Sequence, residues 1–318
     1  MVPVLEAVPN FSEGRDLAWV REVVRVIAAA GADVLDWSAD PHHHRSVVTF
    51  VGTPPEVEEA AVAAACFARD TLDLTHHEGL HPRVGALDVL PFVPLLGLSR
   101  DEAVAAARRV AVRLADEGIP VYLYGWASDP PGRTLASLRR GGFEALRGGF
   151  PEGRAPDLPA AGAPEAPHPT AGVTCVGARD VLLAWNVALR GIELERARAL
   201  AASLREAGGG FASLRALAFE LPGTGLVQIS MNLEAPEHVS PMDVFRAIEQ
   251  AVADEGGEIA HTEVIGLVPD ALVLTATADR LQLLDPAPSR LLSRRLAEHV
   301  SARGRPPSPA GPHRDDDG

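Results

Sequence analysis

The chain has 318 residues, enough for two domains of ordinary size. Its formal net charge is −14, and every basic side chain is an arginine because the sequence has no lysine. This acidic balance argues against broad nucleic-acid binding, which needs a basic face. The two cysteines cannot form a disulfide framework, the N-terminus lacks the pattern of a signal peptide, and no apolar stretch is long enough to cross a membrane. We therefore expect a cytoplasmic protein without nucleic-acid or membrane partners.

The first half of the sequence alternates predicted strands and helices. Runs rich in β-branched residues predict strands at residues 4–8, 34–37, 46–52, 88–95 and 120–125. Apolar residues at helical spacing and two capping boxes, which begin at Thr53 and Ser99, predict helices at residues 16–30, 53–71 and 99–117. This half therefore has a β-α-β-β-α-β order, followed by one extra helix and strand.

The second half repeats the order strand, helix, strand, strand, helix, strand. Its predicted elements are residues 181–189, 193–207, 214–220, 225–233, 240–254 and 258–267. The order is typical of a ferredoxin-like unit. We predict an α+β fold of two ferredoxin-like subdomains with a cleft between them. The predicted parts are an N-terminal subdomain (residues 1–150), a Pro-rich linker (151–172), a C-terminal subdomain (173–302) and a disordered tail (303–318).

The run from His76 to Asp88 holds three histidines, two carboxylates and an arginine. Gly79 and Pro82 disfavour a helix, so the run is predicted to be a loop before a strand. Imidazole can take and return a proton near neutral pH, which indicates acid–base chemistry. Two other interpretations stay open: a structural cluster of histidines, and a metal site that uses His77 and His81, whose spacing aligns ligands only on a helix.

Several motifs resemble, in chain order, those of the glutamate formiminotransferase family. They lie at residues 8–15 (Val-Pro-Asn-Phe-Ser-Glu-Gly-Arg), 45–52, 79–89, 121–125, 132–135 and 227–233. The resemblance extends from residue 3 to residue 280 and is to the free-standing bacterial form, without a cyclodeaminase domain. It implies transfer of a formimino group from N-formimino-L-glutamate to N5 of tetrahydrofolate, in histidine degradation. Tetrahydrofolate is then a co-substrate, and no metal is required.

The resemblance also implies site residues. His81 is at the family's catalytic position, and the family's folate-contacting stretch falls at His168, Pro169, Thr170, Ala171 and Gly172. We therefore expect tetrahydrofolate in the groove between the halves, against that stretch.

Side-chain chemistry extends the predicted site. Arg45 and Arg83 can hold substrate carboxylates through paired N–H donors, and Asp36 or Asp88 can orient the catalytic imidazole. The predicted substrate-binding set is Arg83, Arg45, His43, Asn10, Asp36 and Asp88. Of the run His42 to His44, we expect His43 to face the cleft.

The sequence departs from the family at three places. Trp126 replaces a usual glutamate, residues 156–159 read Pro-Asp-Leu-Pro where Pro-Asp-Phe-Gly-Pro is common, and His44 replaces an asparagine. A formyl donor in place of the formimino donor therefore stays open. Two alternative functions also remain: a non-catalytic folate-binding protein, and a metal-dependent amidohydrolase that would use His42 to His44 with His77, His81 and Asp88. The expected partners are small-molecule substrates, with a homodimer as an open alternative.

Overall fold

The computed structural model describes residues 2–79, 82–163, 165–234, 236, 238–281 and 297. The predicted tail at 303–318 lies outside them. The strands are β1 Leu5–Ala7, β2 Asn10–Phe11, β3 Asp33–Asp40, β4 Arg45–Gly52, β5 Leu87–Pro94, β6 Val121–Gly125, β7 Thr174–Ala178, β8 Leu183–Arg190, β9 Leu214–Leu221, β10 Leu226–Leu233 and β11 Glu258–Ile265. The helices are α1 Leu17–Ala29, α2 Pro54–Thr71, α3 Arg100–Asp116, α4 Leu135–Leu138, α5 Leu194–Leu204, α6 Pro241–Asp254 and α7 Asp270–Leu281.

The first sheet contains a ferredoxin-like unit with an extension. β1 and β2 lie end to end between β4 and β5 and pair antiparallel with both, while β3 pairs with the outer edge of β4. Beyond β5, the strands β7 and β6 continue the sheet in parallel. The helices α2 and α3 begin at the predicted capping boxes of Thr53 and Ser99. The predicted order is confirmed, but the extension has two strands rather than one.

Strand β7 was not predicted from the sequence, and neither were the short strand β2 and the helices α4 and α7. The five residues of β7 are all buried, and the strand lies between β5 and β6. A strand covered on both faces lacks the alternation of apolar and polar residues that marks a half-exposed strand. The first sheet therefore includes residues 174–178, which we had assigned to the C-terminal subdomain.

The predicted linker is folded against the first unit. The Leu158 carbonyl accepts a hydrogen bond from the Val121 amide (2.9 Å), and Asp157 accepts one from the Leu123 amide (2.8 Å) and pairs with Arg133. His168 and Gly172 pair with each other through both backbone groups. These hydrogen bonds and the ion pair hold the segment in place, so it is not an extended spacer.

The second sheet has the strand order β11-β8-β10-β9, with every neighbouring pair antiparallel. Because β8, α5, β9, β10, α6 and β11 follow one another in the chain, this unit confirms the predicted ferredoxin-like order. The turn of the β9–β10 hairpin lies between the two predicted strands, with Leu221 opposite Leu226. None of the described helices is long and apolar enough to span a membrane.

The cleft lies between the two sheets on the faces that the long helices leave uncovered. In β1, Leu5 and Ala7 belong to the apolar core shared with α1 to α3, whereas Glu6 lines the cleft. In β8, Trp185 and Val187 belong to the core shared with α5 and α6, whereas Ala184 and Asn186 line the cleft. Successive side chains of a strand point to opposite faces of a sheet. The strands of both units therefore contribute alternate residues to one cavity.

Candidate active site

The cavity between the two sheets has a volume of about 2270 Å³. From the first unit it is lined by Asn10, Asp40, His43 and Arg45, among others, and from the second by residues of β8, β9 and β10. The His43 ring meets the Phe219 ring edge to face across the cleft, with ring centroids 5.6 Å apart. Pockets for one drug-sized molecule are about 300–1,000 Å³. The cleft is therefore large enough for two small substrates side by side.

His43 lies in the cleft, where we predicted it, and Asp40 holds it there. Asp40 Oδ1 accepts hydrogen bonds from the His42 and His43 amides (2.8 and 2.9 Å), and Oδ2 lies 2.5 Å from His43 Nδ1. Burial opposes ionisation of Asp40, but the hydrogen bonds and charge of His43 outweigh it and lower the Asp40 pKa. The carboxylate therefore fixes Nδ1 as a protonated nitrogen. This partner was missed, although an aspartate three residues earlier is a detectable signal.

The motif at residues 10–15 packs against the loop that carries His43. A Cβ on Gly14 would lie 2.3 Å from the Asp40 carbonyl oxygen, so only glycine fits. Arg15 Nε donates to the Pro41 carbonyl (3.0 Å), and Ser12 Oγ donates to the Gly85 carbonyl (2.7 Å). The motif thus joins residues 40–45 to the beginning of β5.

In the described part of the histidine-rich run, residues 77–79 and 82–86 lie in a loop before β5, as predicted, and His76 and His77 differ in environment. The His76 side chain is 84% exposed and pairs with Asp73. The His77 ring is stacked on the His44 ring (centroids 4.2 Å apart, planes at 11°). Burial is the main cause that lowers the His77 pKa, so this imidazole is neutral near pH 7.

His81 and Leu80 lie outside the described residues. Gly79, before them, and Pro82, after them, both line the cleft. The assignment of His81 as the catalytic residue stays a prediction.

Arginine side chains surround Asp88 beside this loop. Asp88 is only 2% exposed; it accepts a hydrogen bond from the Val84 amide (2.7 Å) and forms an ion pair with Arg139. Arg83 donates to the His77 carbonyl and to Glu144 (2.8 Å each). Burial, and secondarily the charge of Arg139, lowers the pKa of Arg45 to about 10, against the opposing effects of Asp88 and Asp40. We call Arg45, Arg83 and Arg139 the arginine cluster.

The arginine cluster has capacity to bind an anion. All three members line the cleft. The Nε atoms of Arg83 and Arg139 are buried and have no hydrogen-bond partner among the described residues. Buried N–H groups are normally satisfied, and a carboxylate can accept two of them from one guanidinium group. Arg139 was missed because nothing in its surrounding sequence distinguishes it from a surface arginine.

The other predicted site residues are distributed differently. Asn10 lines the cleft, with Nδ2 donating to the Val8 carbonyl (2.9 Å). Asp88 is covered by the arginines. Asp36, on β3, lies opposite Thr49 of β4 and is not among the residues that line the cleft. Asp40 is thus the carboxylate that orients the His43 imidazole, and the assignment of Asp36 or Asp88 to the His81 imidazole stays a prediction.

The predicted folate-contacting stretch, His168, Pro169, Thr170, Ala171 and Gly172, is not among the residues that line the cleft. Its backbone accepts hydrogen bonds from the Leu74 and Ala86 amides (2.8 Å each). A Cβ on Gly172 would lie 2.1 Å from the Val84 carbonyl oxygen. The stretch is thus packed between the loop after α2 and the start of β5, and its contact with folate stays a prediction.

Trp126, one of the departures from the family pattern, lies at the cleft wall. The Arg100 guanidinium lies over its indole ring, 4.4 Å from the centroid. Among the described residues, no group of three or more His, Cys, Asp or Glu side chains could hold a metal ion.

The fold and the site define a class: an α+β protein of two ferredoxin-like units whose cleft combines an imidazole–carboxylate pair with clustered arginines. Comparison with known families matches residues 4–179 to the N-terminal subdomain of the formiminotransferase domain. It matches residues 184–282 to the formiminotransferase domain. The chain belongs to the formiminotransferase family.

Individual relatives extend this match over most of the chain. The glutamate formimidoyltransferase of Streptococcus pyogenes serotype M1 is 37% identical over 289 residues, which are 90% of this chain and 95% of that protein. The Thermoplasma acidophilum glutamate formimidoyltransferase is 36% identical over 299 residues, 92% of this chain and 97% of that protein. The formimidoyltransferase-cyclodeaminase of Sus scrofa is 38% identical over 288 residues, 87% of this chain and 52% of that protein.

Proposed function

We propose that this protein is a glutamate formimidoyltransferase, which transfers the formimino group of N-formimino-L-glutamate to N5 of tetrahydrofolate in histidine degradation. Its relatives of similar length carry that name. The structural observation that supports it best is the arginine cluster at a cleft with room for two substrates. N-formimino-L-glutamate has two carboxylates, which match such a cluster.

The reaction requires proton transfer at two nitrogens. N5 of tetrahydrofolate attacks the amidine-like formimino carbon and must lose its proton as the new C–N bond forms. The bond between that carbon and the glutamate nitrogen then breaks, and the departing nitrogen must gain a proton. One imidazole can accept the first proton and donate the second, which contributes about a hundred- to ten-thousand-fold in rate. We assign this role to His81, whose flanking residues Gly79 and Pro82 line the cleft.

The described residues bind and orient the substrates. Arg83, Arg45 and Arg139 are assigned to the carboxylates of formiminoglutamate. His43, fixed by Asp40 and facing Phe219, contacts the reactants beside the arginine cluster. Holding both substrates in one cleft makes the transfer effectively intramolecular.

An assay with both substrates tests this proposal. Purified protein with formiminoglutamate and tetrahydrofolate is expected to yield glutamate and 5-formiminotetrahydrofolate in equal amounts, and omission of the folate should abolish glutamate release. N-formylglutamate in place of the formimino donor is the matched comparison. Faster turnover of the formyl donor would reassign the donor. Folate-independent hydrolysis that a chelator inhibits would instead support the amidohydrolase.

Arg83→Lys tests the carboxylate clamp. Lysine keeps the positive charge but loses the planar pair of donors, so KM for formiminoglutamate should rise about ten- to a hundredfold. The dissociation constant for tetrahydrofolate should change little. The exposed Arg147 is the matched control, and Arg147→Lys should leave both constants unchanged. An unaltered KM in a stably folded Arg83→Lys variant would mean that this guanidinium does not bind the donor.

A further inference from the structure

Two loops contact each other beside the arginine cluster: residues 41–44, the β3–β4 loop, and residues 76–79, the histidine loop. A Cβ on Gly79 would lie 2.6 Å from the His43 carbonyl oxygen, so the two backbones are nearly in contact. His77 Nε2 donates to the His44 carbonyl (3.0 Å), and His44 Nδ1 donates to the Glu78 carbonyl (2.9 Å). Each loop thus receives a hydrogen bond from a histidine of the other.

The partners of His44 require a proton on both ring nitrogens. The Glu78 carbonyl can only accept a hydrogen bond, so Nδ1 must carry a proton. Nε2 lies 3.1 Å from Glu13 Oε1. Burial opposes ionisation of Glu13, but the Asp16 and Arg15 amides (2.9 and 2.7 Å) and His44 lower its pKa. An ionised carboxylate is also only an acceptor. The geometry therefore describes His44 as an imidazolium.

His77 has the complementary state. Its Nε2 donates to a carbonyl, so the proton of the neutral ring is on Nε2. Its Nδ1 is buried and has no partner among the described residues. A neutral ring stacked on a cationic one is favourable, because the face of an aromatic ring attracts positive charge. The charged form of His77 would place two cations 4.2 Å apart.

The groups around His44 come from three segments. Glu13 comes from the segment before α1. Asp40, His43 and Arg45 come from the end of β3, the β3–β4 loop and the start of β4. His77, Glu78 and Arg83 come from the histidine loop and its continuation. Glu13 supplies the carboxylate that contacts the His44 ring. Arg83 connects this arrangement to the arginine cluster, because it donates to the His77 carbonyl.

We infer that His44 is a positioning residue: as an imidazolium held by Glu13, it fixes the histidine loop, and with it Arg83, at the cleft. Its effect on turnover rests on the proposed function. Loss of the His44 proton at rising pH removes one of the two donors, so either the Glu78 or the Glu13 contact is lost. Activity should therefore depend on both contacts of the His44 ring.

Three variants separate the charge of His44 from its shape. His44 has φ of 51°, a conformation in which asparagine is also tolerated. His44→Asn keeps a donor near the Nδ1 position but cannot titrate or reach Glu13, whereas His44→Ala keeps neither function. Glu13→Gln keeps an acceptor for the Arg15 and Asp16 amides but removes the charge. His76→Asn, at an exposed histidine of the same loop, is the control.

Turnover and ring protonation are the readouts. In the wild type, nitrogen-15 NMR of the ring should show two protonated nitrogens for His44 and one for His77 at pH 7. In Glu13→Gln, which replaces the carboxylate by a neutral amide, the two-proton signature of His44 should weaken at the same pH. His44→Ala should lower kcat/KM by about ten- to a hundredfold through misplacement of the loop. His44→Asn should retain more activity than His44→Ala. His76→Asn should match the wild type.

The outcomes distinguish this inference from the proposed function. A neutral His44 ring at pH 7 would overturn the inference whatever the protein catalyses. So would a wild-type kcat/KM in a stably folded His44→Ala variant. Absence of formimino transfer in the wild type would instead contradict the proposed function. The NMR comparison of wild type and Glu13→Gln would then still decide the state of His44.

Discussion

Replacement of His81 by alanine should lower kcat by about two to four powers of ten while changing the affinity for tetrahydrofolate little, as expected on loss of a general acid–base. Steady-state kinetics and folate titration measure the two effects. The remaining rate should lose its dependence on a group that titrates near neutral pH.

The control for this variant is His76→Ala, since His76 is exposed in the same run. His77 is a less suitable control, because its ring contacts His44 and its carbonyl accepts from Arg83. Wild-type turnover in His81→Ala would exclude His81 as the proton carrier, and an equal loss in His76→Ala would indicate damage to the loop.

Asp88→Ala should lower the free energy of unfolding by about 3–5 kcal/mol, because removing one member of a buried ion pair leaves the other charge uncompensated. The Arg139 guanidinium and the Val84 amide both lose their acceptor in this variant. Denaturant unfolding at pH 7 measures the change. Asp88→Asn should cost less, since its amide oxygen can still accept from Val84.

An exposed ion pair provides the comparison. Arg190 and Glu258 pair across neighbouring strands with side chains that are 61% and 62% exposed. Glu258→Ala should therefore cost at most about 1 kcal/mol. Equal losses of stability in Asp88→Ala and Glu258→Ala would show that Asp88 does not compensate the positive charge of the arginine cluster.

The arginine cluster also bears on how an acidic protein binds an acidic substrate. The net charge of −14 repels anions at long range. At the cluster the acidic balance is offset, since three arginines, Arg45, Arg83 and Arg139, lie beside three carboxylates, Asp88, Asp40 and Glu144. Salt screens exposed charges more than buried ones. We therefore attribute recognition of the substrate to the cluster rather than to the overall field.

Local sequence patterns determined much of the fold. Capping boxes marked the starts of α2 and α3, and runs of β-branched residues located strands of the first unit such as β4. These patterns report interactions within a few residues of each other, so they can be read without knowledge of the tertiary structure. Gly79 and Pro82 likewise predicted a loop before β5. Strand β7 was missed because burial on both faces leaves no such pattern.

The arrangement of the site was decided by tertiary structure. Arg139 and Asp88 are 51 residues apart in the chain, and Glu13 and His44 are 31 apart. Such pairs form only because strand register and packing bring separate loops to one edge of a sheet, and no local periodicity records that. For the same reason, the sequence identified residues 168–172 as a motif but could not show that they lie outside the cleft lining. The sequence by itself determined which residue types could bind and carry protons, and packing decided which of them face the cleft.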